Sequence, residues 1–476
     1  MKKVNLKKML SALMLTSFVC TLFSCNKEEE KRNEDVIDSN TEKEKTVTDE
    51  KDYTIHQFVH EAFGVYYYWN TNVPEKLDYS KYKEPIDVLE SFKEETDRFS
   101  TVINSYSEWM SEMSGNYTTD GLIYDLSYAN STKFTVVAIV NFVYENSPAA
   151  LAGMERGDII TQVNGKTLTV NNYSELLAEN TCSYTYYKYA DYKNQSNPIT
   201  SEDITKQELQ LNPVLMTKVF DKGINKIGYM VYESFTSDTD CLIEAVTKLQ
   251  ANNVTDLVLD LRFNGGGYVT TLDTLASMLV PDGHVGDVFI QEDYNELLNY
   301  ELAKEAKDEN WNKELFVDIT PKLNLNTLYV LVSGNSASAS EELISGLSPY
   351  MDVILIGEQT YGKFTSNVLL NDTYDKGQDA DGIPYSEWAA YVSIATCKNS
   401  LGEMNFAKGF KVDHAVQDVI DSKLGDEDEP LLSKALELIT GQSIAKKAEN
   451  YENPFGEHIG IGGKPEVLKA AMIKTL

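Results

Sequence analysis

A multidomain α+β/α/β chain is what the sequence predicts: a small helical domain first, a small β domain next, and an α/β core after it. Three observations carry this. Apolar residues recur at three- and four-residue intervals from Tyr53 to about Phe99. Short alternating runs broken by Asn-Gly and Gly-Asp turns follow. From Asn212 onward, strand-like and helix-like segments alternate, the pattern of a parallel-rich sheet with right-handed crossovers. A length of 476 residues suits two or three domains. Forty-two basic against 74 acidic residues leave a formal charge of −32, a surface that repels phosphate backbones, so no nucleic-acid partner is expected.

The first 25 residues do not read as part of the fold. "MKKVNLKK" is a basic start, and Met9 to Phe23 form an apolar stretch of secretory length, short for a membrane span. The stretch ends in "LFSC", which resembles the lipobox of a bacterial lipoprotein and implies lipidation of Cys25. The following "CNKEEEKRNED" resembles the acidic tag that sorts lipoproteins to the surface in one group of Gram-negative bacteria. The implied localisation is the cell envelope, with a lipid anchor in the outer membrane and the protein on its outer or periplasmic face. Residues 26–50 are charged and poor in large apolar side chains, an acidic linker. The helical domain is expected over 51–115, from "IHQFVHEAFGVYYYW" and "PIDVLESFKEETDRF". Beyond Cys25 the cysteines are Cys182, Cys241 and Cys397, odd in number and far apart, so neither a disulfide framework nor a metal site is indicated.

The β domain is expected over 116–215. In "ENSPAALAGMERGDIITQVNGKTL", Ser147-Pro148 is an N-cap and first helical residue, Gly153 stops a short helix, and Asn164-Gly165 is a hairpin turn. The segment resembles a PDZ domain in its circularly permuted bacterial arrangement. Such domains take a peptide tail as an added strand and hold its carboxylate in a loop of backbone N–H groups. The loop expected to do so is Gly121, Leu122 and Ile123 of "DGLIYDL".

Over 216–442 the core alternates: strand "INKIGYMVYESF", helix "TDCLIEAVTKLQANN", strand "VTDLVLDLR", loop and helix "FNGGGYVTTLDTLASML", strand "TLYVLVSG", helix "SASEELISGL" and strand "VILIGE". Residues 443–476 show no clear pattern and read as a tail.

Chemistry concentrates in three of these segments. "SGNSASASEELISGL" spends four serines on a strand-to-helix corner, where unpaired backbone N–H groups and the helix dipole favour a developing negative charge. A serine there still lacks a base. None of the five histidines (His56, His60, His284, His414, His458) sits in a recognisable triad context, though triads are defined by geometry and not by order. Lys363, in "VILIGEQTYGKFTSN", follows a strand and a glycine turn. Taken alone it reads as a surface lysine; burial would lower its pKa enough to make it a base. Three consecutive glycines in "LRFNGGGYV" let the backbone approach a ligand closely. Phosphate-loop spacings are absent there, and N–H groups facing an oxyanion fit better.

Together, in order and at these distances, the segments resemble the C-terminal processing (tail-specific) peptidases, serine proteases with a PDZ domain. The resemblance covers about 116–440 and implies a core of the ClpP/crotonase-like type. It implies Ser338 as nucleophile and Lys363, 25 residues on, as general base. Gly267 and the Ala339 N–H would form the oxyanion hole, with Gly266 a competitor. Polypeptides would be recognised by their C-terminal tails and cleaved through an acyl-enzyme without metal or organic cofactor. Many members carry a glutamine four residues after the lysine; here the position is Asn367, a shorter amide, so the lysine-orienting role lies open between it and a neighbour. That departure also motivates the alternative, a peptide-binding surface lipoprotein of the same fold without activity.

Overall fold

A computed structural model describes residues 55–371, 387–420, 422–442, 454–463 and 471–473. The signal segment with Cys25 and the acidic linker lie outside the described residues. Helix Ile55–Tyr66 buries Phe58, Val59, Ala62, Phe63 and Tyr66, one face at helical spacing. That face packs on Ala390, Val392 and Ile394 of the long strand Ala389–Asn399. A short strand, Thr101–Ile103, pairs antiparallel with the same strand. The N-terminal helices and the core thus share one apolar cluster.

The β domain is built on antiparallel strands Leu122–Tyr128, Val136–Val143, Ile159–Val163 and Tyr184–Tyr187. Ser147 caps helix Pro148–Leu151, its Oγ accepting the Ala150 N–H at 3.2 Å. Asn164 and Gly165 both take positive φ, the geometry of a tight hairpin turn.

The core has two sheets. In the first, Val214–Lys222 and Asn225–Tyr232 form an antiparallel pair, and Asp256–Asp260, Thr327–Val332, Asp352–Gly357 and His414–Ala415 continue it in parallel. Its inner strands Asn225–Tyr232, Asp256–Asp260 and Thr327–Val332 are largely buried, as strands covered on both faces are. Leu257, Leu259 and Val330 face helices Asp240–Ala251, Val269–Leu279 and Ala339–Leu347, while Val258, Tyr229 and Ile356 face helix Pro430–Thr440.

The second sheet departs from the sequence expectation of a single alternating core. It runs Gly266–Tyr268, Ala471–Ile473, Thr365–Asn371, Ala389–Asn399, Val288–Tyr294, Lys313–Leu315. The glycine segment, expected as a loop, is its first strand. The tail, expected to be patternless, supplies two strands: His458–Gly462 joins the β domain and Ala471–Ile473 joins this sheet. Neither segment has a strong strand pattern of its own; each becomes a strand because an edge with unpaired N–H and C=O groups is available to it. The glycine strand, the corner before helix Ala339–Leu347 and the turn before Thr365 meet where the two sheets adjoin, beyond the C-terminal ends of parallel strands.

Candidate active site

The serine-rich corner is braced residue by residue. Ser333 Oγ donates to the Arg262 carbonyl at 2.6 Å, Ser336 Oγ to the Leu261 carbonyl at 2.8 Å, and Ser340 Oγ to the Asn264 carbonyl at 3.1 Å. Ala337 N–H reaches the same Asn264 carbonyl at 3.1 Å. Three of the four serines therefore tie the corner to the chain leading into the glycines. Ser338 differs. It is fully buried, its Oγ has no hydrogen-bond partner among the described residues, and its backbone holds φ +62°, ψ −117°. A non-glycine residue at such a φ is strained, and the surrounding bonds hold it there. An unpaired buried hydroxyl costs free energy unless something reacts with it or binds to it.

Lys363 is likewise fully buried, and burial lowers its pKa from 10.5 to about 7 despite the opposing fields of Asp97 and Glu342. Its Nζ donates to Tyr391 Oη at 3.2 Å and lies 5.3 Å from the centre of the Phe99 ring. Glu341 joins the two candidates. One carboxylate oxygen accepts both the Ser338 N–H at 3.0 Å and the Lys363 N–H at 2.8 Å; the other accepts Gly362 N–H at 2.8 Å and Thr360 Oγ1 at 2.6 Å. Burial pushes this carboxyl up to about 7, against the four donors, which favour its ionised form. The serine corner and the lysine turn are thus held to a single atom.

Gly267 lies against Phe235: a Cβ there would fall 2.1 Å from the Phe235 carbonyl oxygen, at φ +145°. Gly266 N–H donates to Asn264 Oδ1 at 2.8 Å. Ala339 opens its helix, where N–H groups have no intrahelical partner. Asn367 is buried and partnered by Ser393, whichever way its amide is turned, and Ser393 Oγ continues to Asp97 at 3.3 Å.

Sequence reasoning missed four of these residues. Glu341 had a signal, the Ser-x-x-Glu sequence pattern of 338–341 ahead of an apolar helix. Asp97, Phe99 and Tyr391 had none, because they reach Lys363 from distant segments. The histidines with described side-chain bonds have other partners: His60 with Tyr79 and Pro74, His284 with Asp287, His458 with Asp125. The expected carboxylate loop is tied to its own neighbours. Gly121 N–H and Leu122 N–H donate to Thr119 Oγ1 and Asp120 Oδ1, and Ile123 pairs with Phe142.

Residues 226–413 match the model of Peptidase family S41, 139–182 a PDZ domain, and 54–101 the Peptidase S41 N-terminal domain. The chain belongs to peptidase family S41. A chloroplastic C-terminal processing peptidase of Tetradesmus obliquus is 30% identical over 229 residues, 45% of this chain and 46% of that one. A CtpA-like serine protease of Staphylococcus aureus (strain COL) is 28% identical over 321 residues, 62% of this chain and 59% of that one. This S41 chain therefore spans about half the length of the curated relatives it matches. A crystal structure of an S41 chain from Bacteroides fragilis NCTC 9343 superposes with TM-score 0.65 at 22% identity, covering 83% of this chain and 99% of that one, and shows the shared fold.

Proposed function

We propose that this S41 chain is a serine endopeptidase that cleaves polypeptides through a Ser338–Lys363 dyad. The observation that carries the reading is the pairing of an unbonded, buried, strained Ser338 with a buried lysine whose pKa lies near neutrality, both anchored on Glu341. Neutral Lys363 takes the proton of Ser338 as Oγ attacks the peptide carbonyl carbon. The N–H groups of Gly267 and Ala339 face the oxyanion. As the tetrahedral species collapses, the C–N bond breaks and Lys363 returns the proton to the leaving amine. Water then attacks the acyl-enzyme by the same route and frees Ser338. No step calls for a metal or an organic cofactor.

The PDZ domain supplies a sheet edge for polypeptide tails, and the chain is held in the envelope by a lipid on Cys25. The test uses the form lacking residues 1–25 and an unfolded protein with an apolar C-terminus. Ser338→Ala and Lys363→Ala should each lower turnover by at least about 10²–10⁴-fold while leaving the fold intact. Turnover that survives Ser338→Ala rules the dyad out. For the anchor, labelled palmitate should enter the wild-type protein in its host and not Cys25→Ser.

A further inference from the structure

A PDZ domain binds a peptide as an extra strand on one edge of its sheet. In this chain the strand that follows the 119–121 turn, Leu122–Tyr128, pairs on one side with Val136–Val143. Its other side is already filled. His458–Gly462 pairs with it antiparallel, in the register His458 to Ser127, Gly460 to Leu126, Ile461 to Asp125 and Gly462 to Tyr124. Side chains seat the strand as well. Ile461 packs with Ile123 and Tyr144, Ile459 packs on the PDZ core, and His458 pairs with Asp125 at 3.5 Å. The strand runs toward the Gly121–Ile123 turn, the direction of a peptide whose C-terminal end approaches that turn. There Gly463, at φ +77°, lies so close that a Cβ would sit 1.8 Å from the Leu122 carbonyl oxygen.

A second stretch of the same tail lies at the chemistry. Ala471–Ile473 pairs parallel with Gly266–Tyr268, Met472 opposite Gly267, and Ile473 is opposite Asn367 on the strand that follows Lys363. Its backbone fills the gap between the glycine strand and the lysine strand. Beside the first stretch opens a cavity of about 650 Å³, lined by Ser127, Asn141 and Ile459 on the PDZ side and by Ser333, Gly334 and Tyr361 beside the nucleophile corner.

We propose that residues 458–462 and 471–473 are a built-in peptide occupant, which competes with incoming polypeptide for the PDZ edge and for the strand position beside Gly267. The reading rests on the proposed endopeptidase site, in which the PDZ edge takes polypeptide tails and Gly267 faces the scissile bond. A tethered competitor acts at an effective concentration on the order of millimolar, so a peptide binding in trans meets an edge that is free only a fraction of the time.

The experiment measures binding, which needs no chemistry. A fluorescent decapeptide with an apolar C-terminus is titrated by anisotropy into the Ser338→Ala chain, into Ser338→Ala/Gly463→Val, and into Ser338→Ala lacking residues 457–473. Gly463→Val forces a side chain against the Leu122 carbonyl and dislodges the strand without touching the catalytic residues. Deletion removes the strand outright, so the two variants fail independently. Both should bind the probe at least about tenfold more tightly than the parent, and a synthetic peptide of residues 454–463 should displace it. Equal affinity in all three, or no binding even after deletion, overturns the proposal. Tighter binding in both variants while active-form turnover stays absent would sink the dyad and leave the occupant standing.

Discussion

At the scale of single residues, the proposed dyad depends on one amine kept neutral. Lys363 titrates near 7 in the folded protein and at 10.5 when unfolded, chiefly because burial penalises its charge. Between those values the unfolded chain binds a proton that the native chain does not, so this group's contribution to stability rises with pH across that window. Lys363→Met removes the titration. It should abolish turnover and be more stable than the parent at pH 7, with the difference shrinking toward pH 10.5; melting temperatures across that range measure it. Turnover by the parent enzyme should rise through about pH 7 as the amine becomes available, read as the acidic limb of the kcat/KM profile. A flat profile from pH 6 to 8 would contradict the assignment.

At the scale of elements, the glycine strand and the serine corner are shaped by close backbone approach. Phe235 accepts the Tyr268 N–H at 2.7 Å and donates its own N–H to the Gly266 carbonyl at 2.9 Å, which clamps both sides of Gly267. No side chain fits there. Gly267→Ala should therefore cost about 2–3 kcal/mol or more in urea unfolding, because the atom it strikes is backbone and φ is unfavourable for an L residue. Its turnover should fall further than its folded fraction. Gly153→Ala, at a positive-φ turn with open space around it, is the control for φ alone. The corner is rigid for a different reason: its three bracing serines exchange water for specific carbonyls, while the hydroxyl of the fourth, Ser338, has no partner among the described residues.

At the scale of the whole molecule, domains reach into one another. Asp97 and Phe99, within the N-terminal domain, set the field and packing around Lys363, and Arg98 donates to the Gly362 carbonyl at 3.1 Å. From the PDZ domain, Arg156 donates to Asp418 at 2.7 Å and to the Ser422 carbonyl at 3.0 Å. Arg262, buried between Asp260 and Glu429, meets the same Asp418 at 3.1 Å. Burial opposes ionisation of Asp418, yet the two guanidinium groups hold it at about 2. Its contribution is present above the ordinary carboxylate range and is lost as pH falls through that value. Arg156→Ala should loosen the PDZ–core contact by on the order of 2 kcal/mol, discounted because Asp418 is partly exposed. Faster hydrogen exchange over 416–422, with the core strands unchanged, is the expected signature.

Much of this was legible in the residues alone. Period and turn chemistry mark the helices, the Ser147-Pro148 cap, the Asn164-Gly165 turn and the parallel strands, because those depend on neighbours in sequence. Ser338 and Lys363 were legible as a spaced pair within a familiar order of motifs. Burial of Lys363 was not, since it comes from Asp97, Phe99 and Tyr391, which only folding gathers. Nor were the second sheet and the two tail strands: "HIGIG" and "AMI" have little strand propensity, and each became a strand by completing an edge made elsewhere. Local patterns are short-range and survive in the sequence. Solvation, pairing across distant segments and occupancy of an edge are properties of the packed chain, and the tertiary structure alone decided them.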